Sequence, residues 1–417
     1  ILLTEMVEIK NKGMIVLCAA IFVSFPTVVS SFAYMYTADA YLLAFLLATL
    51  AVYLTWCVKK WGTIAGMVCL AFAMGIYQAY ATVAIVLVLL YIIRQFVIEK
   101  LDFLEAVRKD LKYLGMLVGG AVLYAVILKI TLIRYNITLP GYQGIGALGI
   151  MSLGQYKAAL QKTLYHFRLI LGMEHGVEKH VYSLLNAAAL LLIGLILIYL
   201  LVRNQVYKKK MSMLASIAAV CLIPVGAYFI NFTSPDVQYY TLMEMAVCLI
   251  YLLMIIMLLQ LDWKTWISKI LKGCGIFVLC GLVYYNVINC NIAYFNMNLS
   301  YHKSISIAED VLQRIEQMDE FQNQHDKVVI MGDYNCATEN LQIMMPSIMG
   351  ISNDSFLNDS YHYTIIWNYC FGVQMEQASY DEMMEIVETD EYKNMSVYPL
   401  KGCVEYINGI IVVKMQE

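Results

Sequence analysis

Long apolar runs recur along this chain, and lysine and arginine collect on every second connection between them. That alternation admits one class of fold. An apolar run of about 20 residues crosses the hydrocarbon core of a bilayer as a helix. Only a segment that satisfies its own backbone hydrogen bonds can lie there. The runs are continuous rather than alternating, which excludes a β-barrel. A mean hydropathy of +0.67, with 61% hydrophobic and 14% charged residues, removes the chain from the soluble globular range.

The basic clusters are Lys59-Lys60, then Arg94 through Lys112, then Arg203 with Lys208-Lys209-Lys210, then Lys264, Lys269 and Lys272. Cytoplasmic connections gather such cations, so the bias orients the chain. Nine spans are predicted, at 13–30, 39–58, 62–78, 80–98, 113–133, 180–202, 211–230, 240–260 and 270–290. With Lys10 and Lys12 inside, nine crossings leave the carboxyl-terminal part outside.

The net charge of −3 hides a division. Residues 291–417 hold 6 Lys+Arg against 19 Asp+Glu, while the remainder holds 22 against 12. This predicts a basic membrane domain over 1–291, whose loops face anionic lipid, and an acidic exterior α/β domain over 292–417. Of the 11 cysteines, most, such as Cys18, Cys57, Cys69, Cys221 and Cys248, fall in apolar runs and act as small hydrophobes. Cys336, Cys370 and Cys403 lack CxxC spacing, so no metal site is expected. The chain opens on Ile1 without a basic-then-apolar leader, and further residues are expected upstream.

Residues 99–112 alternate charge with Leu, Phe and Val at helical spacing, predicting a short amphipathic helix on the cytoplasmic leaflet. The exterior connection 134–179 breaks the charge rule. It opens on a loop, Pro140-Gly141-Tyr142-Gln143-Gly144, and continues as an interfacial helix over Leu153–Leu171. In the acidic part, 301–318 reads as an amphipathic helix. Lys327–Gly332 reads as a buried strand ending in a glycine turn, and Val404–Val413 as a hairpin around Asn408-Gly409. Gly332-Asp333-Tyr334-Asn335 is neither a P-loop nor GxGxxG and reads as a turn.

Polar clusters gather on the short exterior turns. Tyr77, Gln78 and Tyr80 interrupt an apolar stretch, where polar groups need partners. They are either a hydrogen-bonded aromatic belt or the lining of a substrate cavity. Asp39, near Tyr34 and Tyr36, either caps the second span or belongs to an active site. Asp236, in Ser234-Pro235-Asp236, reads as the cap of the eighth span.

The stretches Ser24-Phe25-Pro26, Phe32-Ala33-Tyr34, Ala38-Asp39-Ala40-Tyr41 and Gly75-Ile76-Tyr77-Gln78-Ala79-Tyr80 resemble the type II Gtr glucosyltransferases of bacteria and phage. The likeness runs over most of the chain, through Tyr398-Pro399-Leu400-Lys401-Gly402, and is strongest over 24–90. It implies a GT-C-like transmembrane bundle in the bacterial inner membrane. It also implies transfer of a hexose, with glucose expected, from a polyprenyl-phosphate-linked donor to a surface glycan acceptor such as O-antigen, without a cofactor or nucleic acid. The family's acidic residue is expected in a first exterior loop upstream of Ile1, leaving the catalytic acid unassigned and Asp39 a poor substitute.

Such chemistry needs a carboxylate as general base and cations for the departing phosphate. Arg134, Lys162 and Arg168 are the candidate phosphate ligands, Arg168 being preferred to Lys157 for its bidentate fork. Tyr34, Tyr36, Asp39, Tyr77, Gln78, Tyr80, His166, Arg168 and Asp236 are the candidate substrate contacts. The phosphate-binding Arg that the resemblance leads one to expect near Asp236 is missing from that loop. A transporter or flippase for a lipid-linked glycan is the alternative, and would place ionisable residues or helix breaks at mid-membrane.

Overall fold

The computed structural model describes residues 1–139, 149, 151–173, 181–322, 326–332, 357 and 360–415. They form two compact units, Ile1–Cys290 and a second beginning at Asn291. Pro140–Gly144, Lys179, Asp333–Asn335 and Cys336 lie outside the described residues.

The first unit is helical. Helices α1 (Leu2–Met6), α2 (Lys12–Ser24) and α3 (Pro26–Phe32) open it. Asn11 caps α2 by accepting the Met14 N–H at 3.2 Å. Pro26 has no N–H to continue the ladder, and α2 and α3 meet at a 45° bend. Helices α4 (Ala38–Cys57) and α5 (Gly62–Ile76) pack closely. A Cβ on Gly66 would stand 2.6 Å from the Ala51 carbonyl oxygen, so only glycine fits that approach.

Helix α6 (Ala81–Val97) follows a 3₁₀ turn, Gln78–Tyr80, and α7 runs from Phe103 to Tyr135. The expected surface helix over 99–112 and span over 113–133 are therefore one helix of 33 residues. No Gly, Pro or capping residue interrupts Leu111-Lys112-Tyr113-Leu114, so nothing stops it. It ends at Asn136, which adopts the left-handed conformation with φ 51°.

Helix α8 (Leu153–Ile170) is the expected interfacial helix. It starts with a capping box: Ser152 Oγ accepts from Gln155 N, and Gln155 Oε1 accepts from Ser152 N at 2.8 Å. Then come α9 (Val181–Arg203), α10 (Lys210–Cys221), α11 (Ile223–Ala227, broken from α10 before Pro224), α12 (Leu249–Leu259) and α13 (Trp266–Glu316). The last merges the expected ninth span with the expected helix over 301–318, because no proline separates them.

Among the described residues, five helices are long and apolar enough to cross a membrane, six if the bent pair α2–α3 is one span. Three of the nine expected spans fall on the shorter apolar helices Gly62–Ile76, Lys210–Cys221 and Met245–Leu259. A 15-residue helix such as α5 rises only about 22 Å, less than the hydrocarbon thickness.

The second unit is built on four strands in the order β2-β1-β4-β3: β1 (Lys327–Met331), β2 (Glu376–Gln377), β3 (Val404–Ile407) and β4 (Ile410–Lys414). β1 runs parallel to β2 and β4, and β3 antiparallel to β4. The hairpin turns on Asn408 (φ 52°) and Gly409 (φ 83°), the two positive φ values such a turn requires. Strand alternation divides the core. Val328, Ile330, Ile411 and Val413 pack with Val311, Ile315 and Trp367 on one face. Val329, Met331 and Val412 pack on the other with Met395 and with Ile386 of a short helix over Tyr380–Val387.

Candidate active site

Three expected exterior connections meet in one cluster. Tyr34 from the α3–α4 turn and Tyr77 from the α5–α6 turn pack with Ala79, Val237, Leu242, Met243, Tyr239 and Tyr240. Tyr41 joins them, its ring centroid 5.2 Å from Tyr77 and 6.4 Å from Tyr80. Tyr80 is buried. Gln78 is held by a bond from its Nε2 to the Tyr124 hydroxyl of α7 at 2.7 Å, the partner its burial demands.

The segment between α11 and α12 is the least regular part of this unit, a series of 3₁₀ turns over Phe229–Phe232, Thr241–Met243 and Met245–Cys248. Its carbonyls cannot all bond within the segment, so neighbours supply donors. Thr27 Oγ1 donates to Thr241 O at 3.0 Å, and the Lys162 ammonium donates to Val237 O.

Between the last two of these turns lies Glu244, only 3% exposed. The Tyr228 hydroxyl donates to its Oε1 at 2.8 Å. Tyr228 and Tyr239 rings stand 5.0 Å apart, and His166 of α8 lies 5.2 Å from Tyr239 and 6.1 Å from Tyr228. Tyr239 therefore belongs to both groups, joining the aromatic turns to the buried acid.

Helix α8 closes the site. Residues 159, 163 and 170 are buried along one face, and Thr163 Oγ1 accepts from Asn231 Nδ2 at 3.1 Å. Two polar atoms remain buried with no hydrogen-bond partner among the described residues: the Tyr239 hydroxyl and Asn231 Oδ1. A cavity of about 90 Å³ adjoins Asn231 and is lined besides by Gln155, Ala159, Lys162, Ser234 and Pro235. Desolvation lowers the Lys162 pKa from its ordinary value, and the charge of Asp236 opposes that shift. Among the described residues, no group of three His, Cys, Asp or Glu is placed to hold a metal ion.

Of the other candidates, Asp236 lies near Lys162, while Tyr36, Asp39, Arg134 and Arg168 are exposed. Tyr36 is 84% exposed. Asp39 sits exposed in the first turn of α4, accepting from Ala40 N at 2.8 Å, while Thr37 holds the cap position. The cap expected of Asp39 is thus displaced by two residues, since the helix begins earlier. Asp236 does not cap a helix either, because residues 237–240 belong to no helix and a 3₁₀ turn follows only at Thr241. Its own N–H bonds Ser234 Oγ at 3.3 Å. Arg134 ends α7 on an exposed face. Arg168 is exposed as well, and its Nε turns back to Leu164 O at 3.3 Å.

Glu244, Tyr228, Asn231 and Thr163 are not among the residues the sequence singles out. The available signal was Glu244 itself, an acid inside an apolar run, since such residues are costly and mark function.

Residues 1–235 match the family Glucosyl transferase GtrII. The chain belongs to that family. No curated protein and no solved structure matches it. The GtrII match takes in both aromatic turns, α8, Tyr228 and Asn231, and ends nine residues before Glu244.

Proposed function

We propose that this GtrII chain transfers glucose from a polyprenyl-phosphate donor to a surface glycan such as O-antigen, at the non-cytoplasmic face of a bacterial inner membrane, with the acidic unit on that face. The observation that carries the reading is the aromatic cluster of Tyr34, Tyr77 and Tyr239, which adjoins His166 and Tyr228 and, through the Tyr228 hydroxyl, the buried Glu244. Tyrosine faces suit a pyranose ring, and a carboxylate within hydrogen-bond reach of the acceptor hydroxyl can take its proton. Glu244 is the candidate base. Tyr228 fixes one of its oxygens and leaves the other for the acceptor.

Lys162 is the cation best placed for the departing phosphate, because it lies beside the cavity and keeps two of its three N–H donors beyond the Val237 bond. Arg134 and Arg168, on exposed faces, suit the donor's surroundings or anionic headgroups rather than the reacting phosphate. Nine crossings remain the topology that puts every basic cluster inside.

A lipid-linked-glycan transporter draws on two of the same features, the buried Glu244 and the bent pair α2–α3. Membranes carrying the protein, given radiolabelled polyprenyl-phosphate-glucose and a panel of acceptor glycans, separate the readings. Transfer of label to glycan is expected. Movement of intact donor across the bilayer without bond cleavage, by folded protein, overturns the transferase reading.

A further inference from the structure

At the basic end of the helical unit, the α6–α7 connection and the residues from Arg203 to Lys209 border an open cleft of about 420 Å³. Its wall is formed by Lys100, Arg203, Asn204, Gln205, Lys208 and Lys209, and no acid lines it. Its volume falls within the roughly 300–1,000 Å³ of small-molecule sites.

The cleft is built rather than incidental. Lys209 Nζ donates to Lys100 O at 2.7 Å, Asn204 Nδ2 to Val97 O at 2.7 Å, and Ser212 Oγ to Leu101 O at 3.2 Å. These three bonds stitch one connection to the other. Lys100 and Gln205 both hold φ 58°, a left-handed conformation that costs free energy for non-glycine residues and collects at functional sites.

The charges are unevenly matched. Lys209 pairs with Asp102 at 2.9 Å and Arg203 with Asp262 at 3.0 Å. Lys100 and Lys208 pair with no carboxylate among the described residues; the Lys208 ammonium donates to Gln205 Oε1 at 2.7 Å. The final turn of α9 does not offset them, since Leu200 O and Val202 O are already bonded by the N–H groups of Asn204 and Gln205.

We propose that this cleft binds a phosphate group, either a lipid headgroup at the membrane surface or a free phosphate. Cations and amides arriving from two connections match an anion that presents several acceptor oxygens in different directions. Lys100 and Lys208 would contact it, with Asn204 and Gln205 beside them. This is independent of the transfer reaction at the other polar cluster.

The test uses the full chain, purified, with two probes: inorganic phosphate in detergent, and nanodiscs of phosphatidylcholine with or without phosphatidylglycerol. Saturable thermal stabilisation is expected. Stabilisation by both probes identifies the phosphate itself as the ligand, and stabilisation by phosphatidylglycerol alone identifies a lipid headgroup. The Lys100→Gln/Lys208→Gln pair should raise the half-saturating concentration roughly tenfold or more, while Lys59→Gln/Lys60→Gln, an equal loss of charge elsewhere, leaves it unchanged. Should the double variant fail to fold, Lys208→Gln alone should weaken binding and Lys208→Arg preserve it. No saturable response to either probe, or equal losses in the two double variants, overturns the proposal.

Discussion

The helical unit carries two polar clusters of opposite construction. Around Glu244 the polar groups are buried, uncharged neighbours surround the acid, and the Tyr239 hydroxyl and Asn231 Oδ1 lack partners among the described residues. Around Lys209 the charges are partly exposed: Lys209 and Arg203 pair with Asp102 and Asp262 and bond backbone carbonyls, while Lys100 and Lys208 pair with no carboxylate among the described residues. The first arrangement is costly unless every group has a use, because a buried polar atom without a partner loses its hydration for nothing. The second costs little and contributes little, since water screens each pair. The proposed chemistry accordingly draws on the first cluster and the proposed phosphate binding on the second. The contrast can be broken by mutation.

The largest effect is expected at Glu244. Glu244→Gln keeps an acceptor for the Tyr228 hydroxyl, so folding should survive while glucose transfer falls by about 100-fold or more, the scale of general-base loss. Glu244→Ala should in addition destabilise the protein by about 1–3 kcal/mol, because the buried Tyr228 hydroxyl loses its acceptor. Transfer rates and thermal unfolding of both variants decide the matter. A Glu244→Gln enzyme with full activity would reduce Glu244 to a packing role.

The next effect separates Lys162 from Arg168 on the same helix. Lys162→Ala should weaken donor use by roughly tenfold or more, the loss of a charge-assisted bond. Arg168→Ala should change it little, because that side chain is exposed and turned back to Leu164. Lys162→Arg should restore part of the loss. Apparent donor affinities read this directly, and a larger effect at Arg168 would move the phosphate to the outer face of α8.

The preference for Arg168 in the sequence rests on its chemistry, and the proposal moves to Lys162 because helical geometry leaves Arg168 on an exposed face. Lys162 and His166 are four residues apart and share a face, while Arg168 falls two residues further round. Glu244 was hidden for a related reason: in Leu242-Met243-Glu244-Met245 the apolar neighbours read as one span, although the backbone there is a series of 3₁₀ turns. Turn chemistry was more readable. Asn408-Gly409 and Gly332 stood out because few residues accept positive φ, and both sit where expected. Helix ends were the least readable, since α7 and α13 continue through polar stretches that contain no breaker.

At the basic cluster, breaking Arg203–Asp262 should cost no more than about 1 kcal/mol, because both side chains are partly exposed. Asp262→Asn tests this by thermal unfolding at low and high salt. The deficit should shrink as salt rises, whereas that of Glu244→Ala should not. A salt-independent loss at Asp262 would erase the distinction between the clusters.

The second unit supplies a pair more exposed still, Lys327–Glu382, with Nζ and Oε1 2.6 Å apart. Bonds from the Lys327 ammonium, and then from Ser379, hold the Glu382 carboxyl down at about 2, against an ordinary value of 4.5. A depressed folded pKa contributes stability that is complete above the unfolded value and disappears as pH falls through the folded one. The advantage of the parent over Glu382→Gln should therefore hold steady from pH 7 to about pH 5, then decline between 4.5 and about 2. Amide-exchange protection of Val328–Ile330, compared between the two proteins at matched pH, measures it. A gap that widens on acidification would show that Glu382 is strained by its neighbours rather than held by them, and exposed ion pairs could no longer serve as the weak end of the comparison.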